Sequence, residues 1–319
     1  MSVYAWTTFL FSSIWREERV FHKRKFLVGG FILGITLIWG YAWVLMKASL
    51  QFMGPFAFTS FRFAIGSATL LVIVWLLKQG FPPKKYMKHL MIVGLLQTTA
   101  VFLLVMYGLM FVGAGKSSVI LYSMPIWSSL LAVKFLEEKL RINQVFGLMI
   151  GLIGLFTILG WDIWSGQTLE VIIGELLIVI AAIVWAISNI YFRLHVNELP
   201  KVQSTAFQMT FGTIGIFIAT LLTEWGEPVQ LNLVSIYYIV FAGVFASALC
   251  FTGWFFVLSM INMATATIAT MLVPVFGLIF SALLLGEEIT LGIIVGSSFI
   301  IFGIIIAQRK EREQISEKS

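Results

Sequence analysis

The chain has 319 residues, of which 60% are hydrophobic and 11% charged, and its net charge is +6. Soluble domains carry about a quarter charged residues, so this composition excludes a soluble globular protein, and its high apolar content excludes a disordered one. The composition instead predicts an integral membrane protein. We assign the excess of Lys and Arg over Asp and Glu to cytoplasmic loops, as is usual in membrane proteins. No nucleic-acid partner is therefore expected.

The predicted elements are ten apolar runs, each close to the roughly 20 residues that a membrane-spanning helix needs. The runs are continuously apolar and lack the alternation of a transmembrane barrel. The predicted fold class is therefore all-α integral membrane, with ten transmembrane helices. In chain order the runs cover about residues 27–46, 55–77, 89–112, 117–136, 143–161, 172–192, 204–223, 234–258, 265–285 and 290–307.

The two ends of the chain are predicted to lie outside these helices. Residues 1–26 are a cytoplasmic or interfacial segment, in which Trp6 and Trp15 suit a helix on the membrane surface; an unanchored tail is the alternative. Residues 308–319 are a predicted cytoplasmic tail. All but three of the 21 Lys and Arg residues fall on one side of this topology, the exceptions being Lys47, Arg62 and Lys116. The positive-inside rule then places both termini in the cytoplasm and the protein in the cell membrane.

Rare residues exclude several kinds of chemistry. Cys250 is the single cysteine, so an intramolecular disulfide is impossible, and three dispersed histidines do not suggest a metal site. The triplet Gly115-Lys116-Ser117 resembles the end of a phosphate-binding loop, but Met110 occupies the position where that loop needs glycine. We therefore expect no cofactor and no enzymatic activity. A lipid-processing membrane protein and a non-transporting scaffold or sensor are the alternatives to a transporter.

The chain contains an internal repeat. Pro125 and Pro274 are 149 residues apart, and so are Glu138 and Glu287. Earlier in each half, Trp39 pairs with Trp185 and Lys47 with Arg193 at a spacing of 146. Each copy holds five predicted helices, and because five is odd, the second copy enters the membrane in the opposite orientation. Two inverted five-helix repeats, over residues 27–161 and 172–307, predict a secondary transporter that works by alternating access, with its substrate site between the halves.

Several of these residues resemble a known family. The Trp39-Gly40 pair with Lys47, the Phe61-Arg62-Phe63 triplet and the Pro125–Glu138 stretch resemble the pattern of EamA-type members of the drug/metabolite transporter superfamily. The resemblance implies ten helices, two EamA repeats and export or import of small metabolites. We expect export of amino-acid-like, amphipathic or drug-like compounds. The chain departs from the pattern at Ala186, Gln208 and Glu137.

Arg62 is the leading candidate for substrate binding. It lies about seven residues into the second predicted helix, and an ionisable residue at that depth usually faces a cavity or a partner. There it could hold a substrate carboxylate with two hydrogen bonds. The alternative is a side chain that snorkels to the membrane surface.

The other charged candidates each have two interpretations. For Lys116 we favour a solvated charge at a helix end over an anion-attracting group. Glu175 is either a proton-coupling carboxylate inside the membrane or an interfacial acid at a helix start, and Lys47 is a second candidate for coupling. Glu138 and Glu287 are expected to tie helix ends to their neighbours.

Neutral polar and aromatic residues within the runs complete the predicted site. The Gly residues at 147, 151, 154, 292, 296 and 303 are expected to allow close helix packing. An aromatic cavity with few charges suits an amphipathic or aromatic small molecule as substrate. The oligomeric state is left open between a monomer and a homodimer. Pro125 and Pro274 are expected to kink their helices, either for gating or for packing alone. The remaining substrate-binding candidates are Trp39, Gln97, Tyr107, Tyr122, Trp185, Asn189, Gln208 and Trp254.

Overall fold

The computed structural model describes residues 28–137, 142–164, 166–258 and 270–308, with the backbone alone at 161–164, 255–258 and 307–308. The predicted N-terminal segment, the tail beyond 308 and Glu138 lie outside the described residues.

Every regular element in these ranges is a helix. Eight helices are long and apolar enough to cross a membrane, and α9 and α10 are shorter apolar helices. The multi-pass membrane fold is therefore confirmed, whereas the count of ten spanning helices stays a prediction, since residues 259–269 before α9 are not described. The helices are α1 Val28–Ser49, α2 Pro55–Leu76, α3 Lys84–Gly108, α4 Ala114–Phe135, α5 Ile142–Trp164, α6 Leu169–His195, α7 Lys201–Thr223, α8 Leu233–Trp254, α9 Leu272–Leu285 and α10 Leu291–Gln308.

Helices five places apart in the chain pack against each other. The pairs are α2 with α7, α4 with α9, and α5 with α10, and the contact between α5 and α10 is extensive. Each pair joins one helix of the first half to its counterpart in the second half. We refer to the end at which α1, α3 and α5 terminate as the outer end, following the charge distribution, and to the opposite end as the inner end.

Glycines bring paired helices into backbone contact. At the crossing of α5 and α10, a Cβ on Gly154 would lie 2.6 Å from the carbonyl oxygen of Gly296, and a Cβ on Gly296 would lie 2.6 Å from that of Gly154. Two turns further along α10, a Cβ on Gly303 would lie 2.7 Å from the backbone nitrogen of Gly151. The close packing predicted for these residues is confirmed, because only glycine fits at such distances.

The two halves share their irregularities. The third helix of each contains a π-helical segment, Gly94–Ala100 in α3 and Phe241–Leu249 in α8. In the fourth helix, α4 divides into Ala114–Leu121 and Met124–Phe135, with Pro125 in the first turn of the second part, and Pro274 lies in the first turn of α9. A π-helical segment often marks a functional site, and here both adjoin the residues described next.

Candidate functional site

Arg62 is buried between the two halves. It projects from α2 with 5% of its surface exposed, so it does not snorkel. Its Nε donates to Ser247 Oγ at 3.1 Å, in the π-helical segment of α8, and its Nη1 donates to Met46 Sδ of α1 at 2.9 Å. Among the described residues, no carboxylate forms an ion pair with Arg62.

Aromatic rings surround the guanidinium group. Its Cζ lies 5.0 Å from the centroid of Phe63 and 4.9 Å from that of Phe102. Phe102 also contacts Trp185 of α6, with 6.1 Å between the ring centroids. These distances permit cation–π attraction, which partly replaces the hydration that Arg62 loses on burial.

Trp39 and Trp254 lie beside this group. Trp39 Nε1 donates to the carbonyl oxygen of Ala246 at 2.9 Å, one residue before Ser247. The rings of Trp39 and Trp254 are 5.8 Å apart. Two groups of predicted site residues thus approach Arg62: Trp185 through Phe102, and Trp39 with Trp254 through Ala246, the neighbour of Ser247.

Gln97 and Gln208 form a second, neutral pair. Gln208 Nε2 of α7 donates to Gln97 Oε1 in the π-helical segment of α3 at 3.1 Å. Gln208 occupies the position that corresponds to Arg62, and each of the two contacts the π-helical segment of the other half. Gln208 Oε1 is buried without a hydrogen-bond partner in the described part of the chain, so it can accept a hydrogen bond from a ligand.

The remaining neutral candidates lie in other surroundings. Tyr107 is 43% exposed and contacts the rings of Phe56 and Phe111 towards the outer end. Tyr122 lines an apolar groove of about 320 Å³ together with Pro274, between α4, α9 and α10. Asn189 is half-buried one turn after Trp185 on α6, close enough along the helix to share its face.

Lys116 is not a solvated charge, and our prediction for it is wrong. It is buried in the first turn of α4 and forms an ion pair with the buried Glu175 of α6. Gln167 Nε2 also donates to Glu175 Oε1 at 3.1 Å. A position near a helix end suggested exposure, but α6 packs over this end of α4 and removes both charges from solvent.

Lys47 contacts the end of a neighbouring helix. Its Nζ donates to the carbonyl oxygen of Val112 at 3.1 Å and to that of Leu109, just beyond the end of α3. A cation is stabilised there because the last carbonyls of a helix carry partial negative charge. These contacts favour a capping function for Lys47.

Two carboxylates cap helix starts across the halves. Glu287 accepts from the backbone nitrogens of Ala114 at 2.7 Å and Gly115 at 3.1 Å, which confirms that it ties a helix end to its neighbour. Glu224 binds the start of α2 through the nitrogens of Phe56 at 2.9 Å and Ala57 at 2.8 Å.

Sequence reasoning missed the function of Glu224. The available signal was a glycine at each helix start where a capping side chain is usual: Gly54 precedes α2 and Gly113 precedes α4. A Cβ on Gly113 would lie 2.7 Å from Glu287 Oε2, so the glycine leaves room for the incoming carboxylate.

A membrane-embedded bundle of two related halves, with buried polar groups where they meet, has the architecture of a transport protein. The EamA-like transporter family model matches residues 27–160 and again residues 172–308. The chain belongs to this family, and it is a multi-pass membrane transporter of the drug/metabolite superfamily built from two EamA repeats.

Relatives match most of the chain. It is 31% identical over 276 residues to the uncharacterized transporter YoaV of Bacillus subtilis (strain 168), covering 86% of this chain and 94% of that protein. It is 27% identical to an uncharacterized transporter of Archaeoglobus fulgidus, covering 88% and 98%. A solved crystal structure with 17% identity superimposes with a TM-score of 0.64, over 90% of this chain and 98% of that one, and shows the same fold.

Proposed function

We propose that the protein is a secondary transporter that exports a small amphipathic metabolite carrying one carboxylate across the cell membrane. The two repeats are inverted, both termini are cytoplasmic, and the repeats rock against each other to expose the site to each side in turn. The observation that carries this proposal is the buried Arg62, which has no carboxylate partner among the described residues.

An unpaired charge in this position is costly. Removing a cation from water without a counter-ion costs several kcal/mol, and residues with this cost inside membrane proteins usually serve a function. The rings of Phe63 and Phe102 compensate only in part, at about 0.5–2 kcal/mol for such contacts. A substrate carboxylate would supply the missing negative charge and bind the planar guanidinium with two hydrogen bonds.

The neighbouring residues fit the rest of such a substrate. Trp39, Trp185 and Trp254 offer apolar surface for its body, and their few polar atoms limit the number of charges that it can carry. Gln97 and Gln208 would bind a second, neutral polar group through the free Oε1 of Gln208. Asn189, Tyr107 and Tyr122 are proposed to line the route, with Pro125 and Pro274 at the points where the fourth helices bend.

A proteoliposome screen tests this function. Purified protein is reconstituted and offered radiolabelled amino acids, aromatic carboxylates, polyanions and cationic drugs, each with and without a pH gradient. We expect saturable uptake of an amphipathic monocarboxylate and little uptake of polyanions. Stimulation by the pH gradient would assign proton coupling, for which Glu175 is the first candidate. Binding of polyanions alone would contradict the proposal.

A further inference from the structure

Three glutamates of the second repeat hold the first repeat at the outer end. They are Glu175, which binds the ammonium group of Lys116, and Glu224 and Glu287, which bind the positive ends of two helices in the opposite repeat. We infer that together they form a lock that keeps the outer end closed and that opens during each transport cycle. The inference rests on the alternating-access function proposed above.

Each contact of this outer lock is electrostatic and crosses from one repeat to the other. Glu175 of α6 pairs with Lys116 of α4. Glu224 and Glu287 bind the first backbone N–H groups of α2 and α4, where the helix carries about half a positive charge. The lock therefore fastens two helices of the first repeat through three carboxylates.

The composition of the lock suits reversible opening. When a carboxylate leaves a helix start, water can hydrate both groups, so the net contribution of a single contact is small. Three such contacts can hold a closed state and still separate on the timescale of transport. A purely structural interface between membrane helices would be expected to use small residues and close packing, as α5 and α10 do.

The starts of α2 and α4 lack caps of their own and are capped by the second repeat. Gly54 and Gly113 provide no capping side chain, so α2 and α4 depend on the second repeat for their caps. By contrast, α8 carries its own capping box, in which Asn232 and Ser235 bind each other's backbone nitrogens. Helices that cap themselves need no partner, whereas α2 and α4 become uncapped whenever the repeats separate at this end.

The chain offers matched controls for each member of the lock. Glu170 lies in the first turn of α6, Glu227 follows Glu224 by three residues, and Glu288 is adjacent to Glu287. All three are exposed acids at the same end of the bundle. Converting them to glutamine removes the same charge without breaking a contact between the repeats.

Side-specific thiol labelling tests the lock. The background is Cys250→Ala, which removes the native cysteine, and the reporter is Ser247→Cys, beside Arg62. A membrane-impermeant maleimide is added to either face of sealed vesicles, and Glu227→Cys marks the side that the outer end faces. We expect Glu175→Gln, Glu224→Gln and Glu287→Gln to speed labelling from that side about tenfold, the factor for one charge-assisted hydrogen bond, and to slow it from the other side.

A charge swap separates a lock from a fold defect. Lys116→Glu combined with Glu175→Lys should return labelling to the rate of the reporter background, while the Glu170, Glu227 and Glu288 controls should not change it. Equal acceleration from both sides would show general loosening and overturn the inference, as would unchanged labelling in all three lock variants. Labelling needs no substrate, so a side-specific shift combined with the absence of any uptake by the native protein would reject the proposed transport function and leave the lock supported.

Discussion

Replacing Arg62 with alanine is expected to lower the uptake of a carboxylate substrate at least about tenfold, the loss typical of a charge-assisted bidentate contact. The variant removes the buried cation that lies against the rings of Phe63 and Phe102. Because the side chain is buried without a carboxylate partner in the described ranges, its removal relieves a desolvation cost and should leave the fold intact. Uptake into proteoliposomes, measured against substrate concentration, gives the effect on KM and maximal rate.

Three controls test whether the loss of uptake comes from the guanidinium group of Arg62. Arg62→Lys keeps the charge but loses the planar fork, so we expect partial activity. Lys84→Ala removes an exposed cation from the start of α3 and should have no effect. The methyl ester of the substrate lacks the carboxylate, so its uptake should fall little in Arg62→Ala. Normal carboxylate uptake by a well-folded Arg62→Ala protein would reject Arg62 as the substrate-binding group.

Much of this architecture is predictable because it repeats along the chain. The apolar runs and the spacing between Pro125 and Pro274 give the helices and the two halves, and the glycines of α5 and α10 indicate a close crossing. The inward direction of Arg62 also follows from its depth, since a cation far from the surface needs a protein environment. These features depend on local pattern and on the solvent properties of the bilayer.

The contacts that depend on the other repeat could not be predicted in this way. Lys116 and Glu224 stand near helix ends, where sequence alone suggests solvent, and their partners lie far away along the chain: Glu175 for Lys116 and the start of α2 for Glu224. Met46 and Phe102 are apolar residues inside apolar runs, so no pattern distinguishes them from packing residues. Their contact with Arg62 exists only because α1 and α3 meet α2 at that level.

Replacing Gly154 with leucine is expected to cause a large loss of stability. A Cβ at this position would lie 2.6 Å from the carbonyl oxygen of Gly296 and 2.9 Å from the backbone nitrogen of Ile300, and these backbone atoms belong to α10 and cannot rotate away. Overpacking of a well-packed contact costs about 1–3 kcal/mol even where side chains can adjust. Here α10 itself must move, so we expect the upper end of that range or more.

Gly160→Leu is the matched control, because it lies on the same helix and a Cβ there meets no atom within 4 Å. Leucine is the better helix former by nearly 1 kcal/mol, so this control should unfold at the same temperature as the native protein or slightly above it. Thermal unfolding in detergent, followed by tryptophan fluorescence and by size-exclusion chromatography of heated samples, compares the two variants.

Equal unfolding temperatures for Gly154→Leu and Gly160→Leu would show that α5 and α10 can separate without cost. Because these two helices form an extensive contact between the repeats, that result would place the moving surface of the transporter there. A lower unfolding temperature in Gly154→Leu alone would instead indicate that α5 and α10 stay packed together. The rest of the bundle, including the outer lock, would then move relative to this pair.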